Sequence, residues 1–191
     1  GDDTLNGNDG DDTINGAGGD DILEGGQGND ILDGGEGIDQ SRYDGSLTAV
    51  TVNLQTGVAT NIIPWSGEIE TDTLTNIENI MGSKFSDTLI GDDNNNEIIG
   101  FHGDDIIKGF GGDDELYGWQ GNDTLEGGDG NDLLVGGSTG RDTLDGGDGD
   151  DTLYGDSDDD ILVGGAGSDI IDGGTGIDQA RYDNSASSVT V

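Results

Sequence analysis

Apolar residues in this chain recur one at a time, at intervals of nine residues, among glycine and acidic residues. From Gly82 onward the sequence divides into eleven units that begin with glycine, and only the unit at Gly136 has a tenth residue, before Arg141. Four earlier units start at Gly7, after a partial unit that ends at Asn6. Position eight of most units is aliphatic, at Leu5, Ile14, Leu23, Leu32, Leu89, Ile98, Ile107, Leu116, Leu125, Leu134, Leu144, Leu153, Leu162 and Ile171.

This pattern predicts an all-β fold of short strands separated by tight turns. Gly and Asp at positions one to six are typical of turns, because Gly tolerates positive φ angles and Asp bonds to nearby backbone. Positions seven to nine fit one short strand whose position-eight side chain points inward. Two units then complete one flat coil, and stacked coils form two parallel sheets around a thin aliphatic core.

The charge of the chain narrows its classes of partner. Asp and Glu number 43 against 5 Lys and Arg, which gives a net charge of −38, and only 29% of residues are hydrophobic. Such a composition by itself is typical of disorder, and it argues against nucleic acid or an anionic membrane as partner because like charges repel. No apolar run is long enough for a membrane span, and the absence of Cys excludes disulfides and thiolate metal sites.

Position six is acidic in every unit but one, which has Asn96. Acidic side chains of successive coils would lie about 4.8 Å apart along one edge of the stack, where each pair repels by roughly 3 kcal/mol. A divalent cation removes this repulsion, and Ca²⁺ takes carboxylate and carbonyl oxygens as ligands, whereas Mg²⁺ demands tighter geometry. The candidate ligands are Asp3, Asp12, Asp21, Asp30, Asp39, Asp87, Asp105, Asp114, Asp123, Asp132, Asp142, Asp151, Asp160, Asp169 and Asp178.

The units resemble the GGxGxDxUx nonapeptide of the RTX, or haemolysin-type, calcium-binding family, as in residues 127–135 with the sequence GGDGNDLLV. The resemblance implies a right-handed parallel β-roll in which each Ca²⁺ lies between one turn and the turn one coil later. It implies roughly a dozen ions, held by position-six carboxylates and by backbone carbonyls near positions two and four. The candidate carbonyl donors are Gly19, Gly26, Gly28, Gly35, Gly37, Gly103, Gly112, Gly121, Gly128, Gly130, Gly147, Gly149, Gly165, Gly167, Gly174 and Gly176.

Several units depart from the motif. Asn96 is a neutral ligand, the unit that contains Asp87 lacks the turn glycines, and the extra residue before Arg141 shifts one turn. We expect weaker calcium sites at these three places. Ser41 and Ala180 replace the inward aliphatic residue, so we expect the regular roll to end near them.

A longer repeat lies above the nonapeptide. Residues 37–44 return at 176–183, an offset of 139 residues from Asp39 to Asp178, so the chain is expected to be a piece of a longer protein. We predict four segments: the end of one roll at 1–42, a β-rich joining or capping insert without calcium at 43–81, a second roll at 82–181, and the start of another insert at 182–191.

Function follows from the resemblance in outline. It implies type I secretion and folding outside the cell, so we expect a secreted, extracellular or cell-surface segment, monomeric within a larger chain. We expect no enzyme, because His102 is the sole His and the acidic pairs keep the period of the turns. Three roles stay open: a folding and secretion module of a toxin or enzyme, a repeated stalk of an adhesin or surface-layer protein, and a glycan-binding module of a polysaccharide-modifying enzyme.

Three aromatic residues interrupt position two in successive units, where Gly is usual: Phe101, Phe110 and Trp119. We expect Phe101 and Trp119 on one edge, one coil apart, and Phe110 on the other. They either shield one end of the roll and pack on the insert, or form a platform for a sugar ring.

Overall fold

The computed structural model describes residues 1–182 and contains strands and turns in this range, without a helix that is long and apolar enough to cross a membrane. The strands are β1 (Thr4–Asp9), β2 (Thr13–Asn15), β3 (Ile22–Gln27), β4 (Ile31–Asp33), β5 (Gln40–Arg42), β6 (Val50–Asn53), β7 (Val58–Ile62), β8 (Ile69–Thr75), β9 (Asn79–Met81), β10 (Thr88–Ile90), β11 (Glu97–His102), β12 (Ile106–Gly111), β13 (Glu115–Gln120), β14 (Thr124–Asp129), β15 (Leu133–Thr139), β16 (Thr143–Asp148), β17 (Thr152–Asp156), β18 (Ile161–Ala166), β19 (Ile170–Asp172) and β20 (Gln179–Arg181).

Outside β6 to β8, consecutive strands alternate between two sheets, which confirms the predicted parallel β-roll. A nine-stranded sheet has the order β1-β3-β5-β9-β11-β13-β15-β17-β19, and an eleven-stranded sheet has the order β2-β4-β8-β7-β6-β10-β12-β14-β16-β18-β20. Within each array, a nonapeptide strand pairs in parallel with the strand two units later, as Leu5 does with Leu23 and Leu116 with Leu134. One coil is therefore two units, as the sequence predicts.

The core is a single column of aliphatic side chains between the two sheets. Position-eight residues from Leu23 to Leu162 are almost all fully buried, whereas most side chains at positions seven and nine are half-buried or exposed. Because each unit contributes only one such side chain, the core is too thin to hold the coils together by apolar burial alone.

The insert joins the roll through both sheets. In the nine-stranded sheet, β9 continues directly from β5, with Ile80 paired to Ser41. In the eleven-stranded sheet, β8 pairs in parallel with β4. β7 lies between β8 and β6 and is antiparallel to both, and β6 pairs in parallel with β10. The segment boundaries at 42, 81 and 181 stay a prediction, and the predicted start of another insert at 182–191 lies outside the described residues from 183 onward.

The extra residue of the Gly136 unit forms a β-bulge. Trp119 pairs with Gly137 but Gln120 pairs with Thr139, so Ser138 is the unpaired residue and later strands keep their register. The two copies of the longer repeat lie in different sheets: β5 belongs to the nine-stranded sheet and β20 to the eleven-stranded one.

Candidate calcium centre

Position-six carboxylates form two rows, one along each edge of the roll, where the turns join the sheets. In twelve successive pairs, the backbone N–H of one position-six residue donates to Oδ1 of the Asp one coil later, at 2.7 to 3.2 Å. Asp105 with Asp123 and Asp114 with Asp132 are typical pairs, each 18 residues apart. All the candidate carboxylates thus lie in these two rows, each in hydrogen-bond contact with the turn one coil away.

The second oxygen of most of these carboxylates is buried and has no hydrogen-bond partner within residues 1–182. This applies to Oδ2 of Asp12, Asp21, Asp30, Asp39, Asp105, Asp114, Asp123, Asp132, Asp142, Asp151 and Asp160. A buried acceptor without a donor costs about 1 to 3 kcal/mol, and more when it is charged. The repetition of this cost in turn after turn indicates that each oxygen has a partner other than protein.

Burial shifts the acid–base equilibrium of these groups. Loss of hydration, with a smaller increase from neighbouring carboxylates, raises the pKa of Asp105 to about 8 and of Asp114 and Asp142 to about 7, although a backbone N–H lowers each in part. Burial likewise raises the pKa of Asp123 and Asp151 to about 6. Position six therefore disfavours its own negative charge unless a positive charge lies next to it.

Glycine at position one is required for space. A methyl group built on Gly118 would collide with Oδ2 of Asp123 and would lie 2.6 Å from the carbonyl oxygen of Gly136, one coil later. The φ angle of Gly118 is not positive, so conformational freedom does not select it. The inner carboxylate oxygen and a backbone carbonyl oxygen share the space that a side chain would fill.

The candidate glycines at positions two and four adopt positive φ, and all except Gly19 lie against a backbone carbonyl oxygen of the preceding coil. Gly128 has φ of 123° and Gly130 has φ of 144°, and a methyl group on either would collide with the carbonyl oxygen of Phe110 or Gly112. The same contact recurs at Gly26, Gly28, Gly35, Gly37, Gly121, Gly147, Gly149, Gly165, Gly167, Gly174 and Gly176. Carbonyl oxygens of positions two and four therefore face the gap between successive turns.

This donor set fits Ca²⁺. It consists of oxygen alone and combines unpartnered carboxylates with carbonyls, as a hard cation with six to eight oxygen ligands requires. It repeats from turn to turn in both arrays, except in the first coil of the second array. Within residues 1–182 no three His, Cys, Asp or Glu side chains cluster as metal ligands, so backbone carbonyls would have to complete each site.

A second ladder at position five was not expected from the sequence. The N–H of a position-five residue donates to the Asp, Asn or Ser side chain one coil earlier, as Asn122 does to Asp104 and Asn131 to Asp113, both at 2.8 Å. This direction is opposite to that of the position-six ladder. The backbone N–H of Asn122, followed by its side-chain amide, lowers the pKa of Asp104, so this exposed row favours its charge.

Position five also marks the last turn of each array. Ile38 and Ile177 donate to Asp20 and Asp159 but have no acceptor side chain to offer a later coil. The signal was present in the sequence, because position five is otherwise Asp, Asn or Ser in all units except the one with Arg141. Such residues are so common in turns that their periodicity alone does not indicate a ladder.

The first coil of the second array satisfies its own turns. Ser83 donates from N–H to Oδ2 of Asp87 at 2.5 Å and from Oγ to Oδ1 at 2.8 Å. In the next turn, the N–H of Asp92 donates to Oδ1 of Asn96 at 2.8 Å, and Nδ2 of Asn96 donates to the carbonyl of Glu78 at 2.7 Å. The side-chain oxygen that lies over position one, Oδ2 of Asp87 or Oδ1 of Asn96, thus has a protein donor in these two turns. In most of the turns that follow, the corresponding oxygen has none.

The aromatic residues lie on the edges that the sequence predicts. Phe101 and Trp119 are register partners in β11 and β13, with ring centroids 6.4 Å apart, and Phe110 lies in β12 of the other sheet. All three have positive φ, from 77° to 83°, which is unfavourable for aromatic residues. Phe110 and Trp119 expose 44% and 49% of their surface, so burial does not compensate for the strained backbone.

The chain matches the model of a known family. The family model for the RTX calcium-binding nonapeptide repeat, in four copies, matches residues 7–40, 75–100, 81–109, 102–134, 126–162, 136–171 and 145–180, which together span most of the chain. No curated protein matches the sequence. The matched ranges contain both rows of position-six carboxylates, apart from Asp3.

Proposed function

Because the chain belongs to the RTX calcium-binding nonapeptide repeat family, we propose that it is a folding switch controlled by Ca²⁺. Its RTX repeats form a calcium-binding β-roll, and the metal-free chain is disordered in this proposal. The observation that carries it is the repeated burial of an unpartnered carboxylate oxygen at position six. We infer that the ligands are the position-six carboxylates and the position-two and position-four carbonyls named above.

Electrostatics explains why metal and fold are linked. A net charge of −38 opposes compaction, and each turn brings carboxylates of successive coils together where water cannot hydrate them. Bound Ca²⁺ supplies the positive charge and the Lewis acidity that these oxygens lack. Since the site exists only when two turns are stacked, the free energy of binding becomes free energy of folding.

A circular dichroism titration of residues 1–191 tests the switch. In EDTA we expect a coil spectrum, and with CaCl₂ a cooperative change to β-structure at about 10⁻⁴ to 10⁻³ M, the range of extracellular calcium modules. MgCl₂ at the same concentrations is the control and should leave the coil unchanged. A chain that is already rich in β-structure in EDTA and indifferent to calcium would contradict the proposal.

The wider biology is proposed at the level of the family. We propose a segment of a secreted or cell-surface protein that leaves the cell by type I secretion, folds outside in millimolar calcium, and performs no catalysis itself. The divisions at 1–42, 43–81, 82–181 and 182–191 belong to this proposal. A stalk in an adhesin or surface-layer protein is the alternative, which the 139-residue repeat favours.

Sugar binding is a second candidate function, favoured by the strained and exposed aromatic residues. Beside Trp119, a cleft is lined by Tyr117, Val135, Ser138 and Asp156, which offers an apolar face and polar groups together. Exposed aromatic rings stack on the apolar faces of sugar rings, and hydroxyl and carboxylate groups bond their edges. Trp119→Ala should abolish binding on a glycan array at saturating calcium, whereas equal binding by wild type and variant would exclude the platform.

A further inference from the structure

Two acidic residues of the insert take the place of position-six carboxylates. The N–H of Asp30 donates to Oδ1 of Asp72 at 3.0 Å, and the N–H of Asp39 donates to Oε2 of Glu78 at 2.9 Å. Within the arrays the same N–H bonds to an Asp 18 or 19 residues later, but here the partners lie 42 and 39 residues away. The rows of carboxylates therefore continue past the last turn of the first array.

The neighbours of these residues also occupy repeat positions. The N–H of Thr71 donates to Oδ1 of Asn29 at 3.0 Å, which is the position-five contact. Leu74 pairs with Leu32 and is buried, as a position-eight residue is. Residues 71–74 thus fill positions five to eight of a unit whose first four positions are missing.

On the other edge, Asn76 fills position one. A methyl group on Gly34 would collide with the carbonyl oxygen of Asn76 and would lie 2.5 Å from Oδ2 of Asp39. In the arrays the same space is shared by the position-six Oδ2 and the position-one carbonyl of the next coil. Three residues, from Asn76 to Glu78, therefore restore the contacts of a six-residue turn.

The carboxylates at this junction are buried and incompletely bonded. Asp30 is 1% exposed, Asp39 is fully buried, and Oδ2 of each has no hydrogen-bond partner within residues 1–182. Asp72 is only 7% exposed, and Arg42, the cationic side chain nearest in sequence to Asp39, is paired with Asp44 instead. Like charges thus meet at low exposure on both edges.

We propose that the insert closes two further calcium sites, one shared by Asp30 and Asp72 and one shared by Asp39, Glu78 and the carbonyl of Asn76. This inference rests on the proposed function, since it uses the same ion. It makes the insert part of the calcium-loaded roll, which contradicts a joining segment without calcium, and it makes the connection between the two arrays depend on metal.

Tyr43 provides a spectroscopic reporter of the first of these sites. Burial, followed by the charge of Asp72, raises the pKa of its phenol well above the usual range, with a smaller contribution from Asp30 and partial relief from Ser41. Tyr43 and Asp72 also line the same cleft, which places the phenol beside the first proposed site. A terbium ion bound between them would be sensitised by excitation of Tyr43.

The first test counts bound ions by equilibrium dialysis against CaCl₂, with the whole chain. Asp72→Asn and Glu78→Gln should each lose one ion and the double variant two, since both substitutions keep the oxygen that accepts the backbone N–H. Glu70→Gln is the matched control, because Glu70 lies in the same strand but accepts from Asn61 at 3.0 Å, and it should keep the full number. Unchanged stoichiometry in folded Asp72→Asn and Glu78→Gln would overturn the inference.

The second test is terbium luminescence, which still decides the matter if a variant fails to fold. Tyr43→Phe should lose part of the tyrosine-sensitised signal while it keeps the same number of bound ions, and an unchanged signal in this variant would overturn the site at Asp72. A wild-type chain that binds no calcium at all would remove the proposed function as well. Full binding by wild type with no loss in the variants would remove only the inference.

Discussion

At the scale of single residues, positions one and six of the repeat act as a pair. The carboxylate of position six folds back over the Cα atom of position one, so that a glycine without positive φ is still irreplaceable. Position three of the same turn is free of this constraint, as at Gly111, where the nearest atoms to an added methyl group are 3.8 Å away. The two kinds of glycine therefore differ in tolerance, although they look alike in sequence.

Gly118→Ala and Gly111→Ala test this difference. Gly118→Ala should lower the unfolding free energy at saturating calcium by about 1 to 3 kcal/mol, because the methyl group overpacks the turn against Asp123. Gly111→Ala should change it by less than about 0.5 kcal/mol. Urea unfolding of both variants measures this, and equal losses would show that position one is not selected for space.

Asp114→Asn and Asp113→Asn separate the two ladders. Asp114→Asn should remove one bound ion and raise the calcium midpoint severalfold, whereas Asp113→Asn should do neither, since Asn already occupies position five at Asn122 and Asn131. Calcium-electrode titration gives both quantities. The sign of the change in unfolding free energy in Asp114→Asn distinguishes the two cases. If no cation binds there, removal of a carboxyl whose pKa burial raises to about 7 should stabilise the roll.

At this scale, the sequence predicts the roles of those positions at which the same type of residue recurs in nearly every nonapeptide. Aliphatic residues at position eight and Asp at position six stand out because few other residues replace them. Position five mixes Asp, Asn and Ser, each common in any turn, so its ladder emerged only from the hydrogen bonds. Asp72 and Glu78 could not be assigned, because their partners lie 42 and 39 residues away. In addition, the first four positions are missing from the unit of Asp72, and Glu78 belongs to a turn shortened to three residues.

At the scale of elements, the first coil of the second array differs from the coils that follow. Side chains of Ser83, Asp87, Asp92 and Asn96 complete its two turns with hydrogen bonds, so this coil closes without an inner oxygen left unpartnered. In a quasi-one-dimensional stack, the unit with the most favourable intrinsic stability nucleates its neighbours. We infer that order spreads from residues 82–99.

Hydrogen–deuterium exchange at limiting calcium measures this order of events. Amides of β10 and β11 should be protected at lower calcium concentration than those of β17 and β18. Ser83→Gly, which removes the hydroxyl that bonds to Asp87, should abolish the early protection but leave β17 and β18 as they were at saturation. Simultaneous protection of all strands in wild type would contradict nucleation at this coil.

The insert shows where strand prediction from pattern stops. The alternation at Val50 and Val52 predicts β6, but the antiparallel return through β7 and the parallel entry of β8 depend on which coil edges are open, which a sequence pattern does not encode. The predicted fold class is still correct, because the strands of both arrays pair in parallel with the insert strands next to them.

At the scale of the whole molecule, protons and calcium compete for the same oxygens. The pKa of Asp105, Asp114 and Asp142 in the folded chain, at about 7 to 8, lies above the value of 3.8 expected when unfolded. The contribution of these groups to the stability of the metal-free roll is therefore full below about pH 4 and is lost progressively as the pH rises to about 8. Acid partly substitutes for the cation.

In EDTA, we therefore expect β-structure to increase as the pH falls from about 8 to 5, above the isoelectric point of about 4.1. At fixed calcium, the same acidification should raise the calcium midpoint, because protonated carboxyls bind the ion poorly. Circular dichroism with sedimentation, to exclude aggregates, gives the first quantity, and a repeat at high ionic strength separates titration from charge screening. A spectrum that is flat over this range in EDTA would show that protonation of these carboxyls does not substitute for the cation.

The two copies of the 139-residue repeat begin in opposite sheets, since β5 lies in the nine-stranded sheet and β20 in the eleven-stranded one. The number of half-coils between them, each made of one turn and one strand, is odd. An array built by repeating this module would therefore rotate by half a revolution with every copy, and consecutive inserts would project from opposite flanks of the rod. In a long protein made in this way, surfaces carried by the inserts would face in two opposite directions in turn.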